Sequence, residues 1–194
     1  ILGIIGGLGP MATAYFLELT VKMTAADRDQ EHLRAILMEA PDIPDRTAHI
    51  LDRSKPSPLP SLIGYAQKLE ALGCGCIAIP CITSHYFFPE LQKAISIPLL
   101  HIVRETARHL RENGVRSAGV MATTGTARTG LFQDALAREG IACILPDEAH
   151  QAMVMRVIYD NVKAGRPVEQ DVFGEAASYL RKNGAECLIL GCTE

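Results

Sequence analysis

The chain has 194 residues, 48% of them hydrophobic and 21% charged, and its 19 basic and 22 acidic side chains leave a formal charge of −3. That balance excludes disorder and fibrous repeats, and without a basic run the chain lacks the attraction on which nucleic-acid binding depends. No apolar run approaches the roughly 18 residues that cross a bilayer, and Ile1 opens directly into a strand-like segment with no secretion signal before it. The expectation is a cytoplasmic protein acting on a small molecule, with no nucleic-acid and no membrane partner.

In chain order, β-branched or apolar runs occupy 1–5, 33–40, 76–80, 98–102, 117–122, 141–145 and 186–190. Helical patterns fill the intervals, as in 62–72, where Leu62, Ala66, Leu69 and Leu72 share a face. Strands separated by helices imply right-handed βαβ units and a parallel sheet covered on both faces. The predicted fold class is α/β. Gly73, Gly114, Gly140 and Gly184 are placed to close helices. The one long irregular stretch, 41–60, carries five prolines and reads as a functional or mobile loop.

The chain also repeats itself. An offset of 111 places Ala66 on Ala177, Leu69 on Leu180, Gly73 on Gly184, Cys76 on Cys187 and Cys81 on Cys192; an offset of 116 places Gly3 on Gly119 and Gly9 on Gly125. Two offsets five residues apart describe one duplicated unit with a small insertion or deletion. Two similar halves follow, 1–97 carrying Cys81 and 98–194 carrying Cys192, each with its own parallel sheet and related by a pseudo-twofold axis.

Six cysteines in a chain with no secretory signal argue against a disulfide scaffold. Cys81 and Cys192 each follow a predicted strand, the end of a parallel sheet where ligands bind and where the next helix favours a thiolate. If the halves face one another, two matched thiols approach one cleft from opposite sides. One-carbon proton transfer wants that arrangement: one thiolate removes a proton from a stereocentre and the opposed thiol returns one to the other face. Thr83, Ser84, Thr193 and the run 123–126 offer hydrogen bonds to the carbanion.

The segments GGLGPMAT (6–13), RDQEH (28–32), IPDRT (43–47), PCITSH (80–85), ATTGT (122–126), VKAG (162–165) and GCTE (191–194) are similar to those of the aspartate racemases in the aspartate/glutamate racemase superfamily. The resemblance runs in order along essentially the whole chain. It implies an amino-acid racemase independent of pyridoxal phosphate or any other cofactor or metal. Two Rossmann-like domains would hold the active site between them, in a homodimer acting on a small acidic amino acid, aspartate foremost. It assigns Cys81 and Cys192 as the acid/base pair and Arg46 and Lys163 as cations for the side-chain carboxylate. Thr83, Thr123, Thr126 and Thr193 would hold the backbone carboxylate and amino group. Two features depart from the pattern. Ile82 stands where the family commonly has Asn, and relatives continue past the position of Glu194 through a strand and helix that return to the first domain.

Other chemistries stay open from the residues alone. A related decarboxylase or dicarboxylate cis/trans isomerase would need one cysteine, and a non-catalytic binder of acidic metabolites would need neither. Gly7-Leu8-Gly9-Pro10-Met11-Ala12 matches a dinucleotide fingerprint, as in a nicotinamide oxidoreductase, although Pro10 removes one N–H and Glu39 falls later than the usual acidic residue. That loop reads instead as a flexible turn shaping the substrate site. Cys74, Cys76, Cys143 and Cys187 read as structural, since a zinc site from Cys74, Cys76 and Cys81 lacks the usual paired C-x2-C spacing. His85 and Glu194 are candidates to tune Cys81 and Cys192.

Overall fold

Two three-stranded parallel sheets organise the structure, a computed structural model that describes residues 1–193. Glu194, the candidate neighbour of Cys192, lies outside the described residues. The chain divides into two compact units, Ile1–His101 and Ile102–Glu194.

The first unit runs β1 (Leu2–Gly6), α1 (Pro10–Met23), β2 (Ala35–Glu39), α2 (Arg46–Leu51), α3 (Leu59–Ala71), β3 (Cys76–Ala78), a 3₁₀ helix (Thr83–Phe87) and α4 (Phe88–Lys93), with sheet order β2-β1-β3. Central strand β1 is buried along its whole length, as a parallel strand covered on both faces requires. Ile5, Leu62, Leu69, Ile77 and Leu91 build the core around it.

The strand expected at 98–102 is reduced to a single bridge, Ile77 to Leu99. Ile77 N donates to Pro98 O at 2.9 Å and Leu100 N to Ile77 O at 2.8 Å, but the next rung is diverted: Ile79 O accepts from Cys81 N at 2.7 Å and Leu100 O meets His85 Nε2 at 3.2 Å. The stretch 41–60 is also more ordered than its prolines suggest. Asp45 caps α2 by accepting from Ala48 N at 2.6 Å, and Ile43 is buried. Six residues are too few to show a helical period.

The second unit runs α5 (Ile102–Glu112), β4 (Ser117–Ala122), α6 (Thr124–Arg128), α7 (Leu131–Arg138), β5 (Ala142–Ile144), α8 (Glu148–Arg156), a π-helix (Val157–Val162), α9 (Gln170–Lys182) and β6 (Cys187–Gly191), with sheet order β5-β4-β6. The two orders are equivalent, and so are the registers. Leu2 pairs with Cys76 in one sheet and Ala118 with Cys187 in the other, which are the sequence offsets of 116 and 111.

Packing repeats too. A Cβ on Gly3 of β1 would lie 3.2 Å from Leu69 Cβ on α3, and one on Gly119 of β4 would lie 2.9 Å from Leu180 Cβ on α9. In each unit a central-strand glycine lets a helix seat a buried leucine directly on the sheet, a contact worth about 2–5 kcal/mol against truncation to alanine. The helix-closing glycines Gly73, Gly114, Gly140 and Gly184 all have positive φ.

Candidate active site

In the first unit, the site is built where β1 and β3 end. Gly7 N donates to Thr13 Oγ1 at 2.9 Å, and that hydroxyl donates to Gly9 O at 3.0 Å. Leu8, between them, is buried. The loop read as a flexible turn is therefore cross-braced and enclosed. The Gly7 N–H that a phosphate would need is already engaged, which weighs against the dinucleotide reading.

The same loop orients Arg46. Its Nη2 donates to Leu8 O at 3.0 Å and its Nη1 to Ile43 O and Pro44 O at 3.3 Å. Only 9% of the residue is exposed, Nε has no hydrogen-bond partner, and no carboxylate forms an ion pair with it among the described residues. A buried guanidinium held by neutral carbonyls is short of one anion.

Cys81 follows β3 in a tight turn around Pro80, its N–H donating to Ile79 O at 2.7 Å. The 3₁₀ helix then begins, with Ile82 at its N-cap, buried and contributing no side-chain cap. Thr83 is buried on its first turn, and the hydroxyl of buried Ser84 has no partner. Arg53 bonds the Tyr86 hydroxyl and the His49 ring lies 6.1 Å from that of Phe87, so α2 and its neighbours pack on this helix. Arg46, Cys81 and Thr83 thus share one end of the first sheet.

His85, the candidate to tune Cys81, is buried behind that cysteine's main chain. Its Nδ1 faces the Cys81 carbonyl oxygen at 3.0 Å and its Nε2 the Leu100 carbonyl oxygen at 3.2 Å, so both nitrogens address main chain. Burial pushes its pKa down against the two carbonyl bonds, which favours the neutral ring.

In the second unit, Ala122 of β4 pairs with Gly191 of β6, so Thr123 and Cys192 leave adjacent strand ends. Thr123 Oγ1 caps α6 by accepting from Thr126 N at 3.2 Å and donates to Thr126 Oγ1 at 3.1 Å. Both threonines are buried, while Cys192 and Thr193 are half-buried. Cys192 borders an apolar cavity of about 290 Å³ with Met121, Val154, Ile158 and Phe173.

Two supports of this turn were not foreseen. Gln151 Nε2 donates to Ala122 O at 2.9 Å, and Met155 Sδ accepts from Thr124 N at 3.2 Å. They stand four residues apart on α8, and that spacing was the available signal. Lys163 follows the π-helix, its N–H donating to Ile158 O five residues back at 2.9 Å, with Nζ 5.9 Å from the centre of the Tyr159 ring. Tyr159 was also missed.

Burial pushes the thiols of Cys74 and Cys187 up, with Glu186 adding to the second, and pushes Cys143 up to about 11. Such protonated thiols suit the structural part assigned to them. Among the described residues no three His, Cys, Asp or Glu side chains could share a metal ion, Cys74, Cys76 and Cys81 included. None of the helices described is long and apolar enough to cross a membrane.

The profile of the Asp/Glu/Hydantoin racemase family matches residues 5–194. The broad specificity amino-acid racemase RacX of Bacillus subtilis is 31% identical over 203 residues, spanning 100% of this chain and 85% of that protein. The structure of an aspartate racemase from Picrophilus torridus aligns with a TM-score of 0.83 at 30% identity, covering 99% of this chain and 80% of that one. A Francisella tularensis glutamate racemase in complex with D-glutamate, at 17% identity and a TM-score of 0.64 over 99% and 68% of the chains, shares the fold.

Proposed function

Given that this chain belongs to the Asp/Glu/Hydantoin racemase family, we propose that it racemises an acidic amino acid, aspartate foremost, by two-base proton transfer between Cys81 and Cys192. The observation that carries the proposal is the matched placement of the two cysteines. Each follows the same strand of an equivalent sheet, β3 or β6, in the same register against the central strand. A reaction that runs equally in both directions needs two groups alike enough to exchange roles.

In one direction the thiolate of one cysteine takes the α-proton and becomes a thiol. The electron pair stays on the α-carbon and its carboxylate, and the opposed thiol delivers its proton to the other face and becomes the thiolate. The hydroxyls of Thr83, Thr123, Thr126 and Thr193 donate to the substrate's α-carboxylate and accept from its ammonium group. Arg46 takes the side-chain carboxylate through its planar fork, which would supply the missing anion, and Lys163 adds a second cation.

Proton NMR of L-aspartate and L-glutamate in deuterated water, with reduced protein and no added cofactor, tests the proposal. Loss of the α-proton signal with appearance of the D-enantiomer on chiral analysis supports it. Binding without α-deuteration leaves a metabolite binder instead.

Ile82 favours a second reading. An apolar, buried residue directly after Cys81 offers no polar contact to the substrate, and a relative of 31% identity is a broad specificity racemase. On this reading a panel of neutral amino acids is also deuterated, and Ile82→Asn narrows the range towards aspartate.

A further inference from the structure

His85 is a buried imidazole to which the two-thiol mechanism gives no task. The geometry of the 3₁₀ helix accounts for its contacts. That spacing sends His85 N to Ile82 O at 2.9 Å, so it cannot make the bond to Cys81 O that an α-helix would form. The ring occupies the vacated place, with Nδ1 at 3.0 Å from Cys81 O. Because Cys81 N donates to Ile79 O at 2.7 Å, both main-chain polar groups of Cys81 are tied within its own turn.

Across the ring, Nε2 meets Leu100 O at 3.2 Å, in the segment that bridges β3 through Leu99. The His101 ring, 5.1 Å away and itself 4.5 Å from Phe88, closes that side.

We infer that His85 is a positioning residue. It fixes the direction of the Cys81 thiol by holding the Cys81 carbonyl, and exchanges no proton with the sulfur. This rests on the reading of Cys81 as one of the two bases.

Two substitutions test the inference. His85→Phe keeps the ring volume and removes both ring nitrogens. His85→Asn keeps the bond to Cys81, because an asparagine in this chain reaches the carbonyl four residues back at 2.8 Å twice, from Asn113 to His109 and from Asn183 to Tyr179. One readout is the alkylation rate of Cys81 by iodoacetamide, with Cys192 as the internal reference. The other is α-deuteration of each aspartate enantiomer measured separately, since racemisation itself runs between states of equal energy.

In His85→Phe the expected result is a drop of about 10²-fold in deuteration of the one enantiomer that Cys81→Ala also stops exchanging, with the other enantiomer far less affected. Cys81 alkylation shifts while Cys192 alkylation does not, and His85→Asn restores both readouts. Parallel changes in both cysteines and both enantiomers, or no change in either, overturn the inference. Should His85→Phe fail to fold, His85→Leu takes its place as the variant without the bond, read by the same outcomes against His85→Asn. If the native protein deuterates no amino acid, the proposed function falls, and the alkylation readout still judges the inference.

Discussion

Replacing Gly7 by alanine is expected to destabilise the first unit far more than the same change at Gly73. Both glycines have left-handed backbone, with φ of 85° and 81°, so each alanine incurs the conformational cost of about 1–2 kcal/mol. Their surroundings differ. A Cβ on Gly7 would lie 2.6 Å from the backbone N and C of Ala40, whereas one on Gly73 has nothing within 4 Å. Main chain cannot swing aside as a flexible side chain can, and forcing it apart adds about 1–3 kcal/mol. The totals are about 2–5 kcal/mol for Gly7→Ala and about 1–2 kcal/mol for Gly73→Ala. With a urea slope of about 2 kcal/mol per M, the midpoints fall by roughly 1–2.5 M and 0.5–1 M. Both positions lie in one unit, so a urea titration followed by circular dichroism compares them on the same transition. Equal midpoint shifts would show that the Ala40 contact costs nothing and would refute the reasoning. Gly7→Ala should also weaken substrate binding, because Leu8, the next residue, holds Arg46.

Cys81→Ala and Cys192→Ala should each abolish racemisation yet keep α-deuteration of one enantiomer, a different one in each variant, by NMR; full racemase activity in either would remove the two-base mechanism. Arg46→Lys keeps the charge but loses the fork, and the loss of one charge-assisted bond of about 1.5–3 kcal/mol should raise KM for aspartate some 10–150-fold with a smaller change in kcat. An unchanged KM would take Arg46 out of the substrate site. Cys143, pushed up to about 11, should resist alkylation at pH 8 in the folded protein and react on unfolding. Because its folded value lies above the unfolded one, its contribution to stability is intact below the unfolded value and is lost as pH rises through about 11; a urea midpoint that is flat across that alkaline range would contradict the assignment.

The parallel sheets were legible because each strand is a short apolar run bounded by glycine or proline. The duplication was legible because Gly3 and Leu69 reappear as Gly119 and Leu180, residues that packing holds to one size. Elements whose geometry depends on a few local bonds were not. Six-residue α2 shows no period and is announced only by Asp45, and the strand at 98–102 stops because the Cys81 turn and the His85 ring take its next rung.

The site divides along the same line. Cys81, Cys192 and the threonines follow strand ends that the sequence marks. Gln151 and Met155, by contrast, act on a turn some 30 residues earlier in the chain, and their four-residue spacing marks a shared face without naming its partner. His85 lay in plain view four residues after Cys81, but which atom of that cysteine it touches depends on whether the intervening turn is 3₁₀ or α.

The wide turn Val157–Val162 gives the chain ahead of Lys163 one more residue than an α-helical path over the same distance would hold. Excising a single residue there would let the helix wind on regularly, and everything beyond it would rotate by about 100° about the axis, since 3.6 residues complete a revolution. The ammonium group would then emerge from another side of the rod, with its chemistry unaltered and its address wrong. A surplus residue in a helix thus works as a steering element, and under the proposed function the length of this segment matters as much as the lysine that follows it.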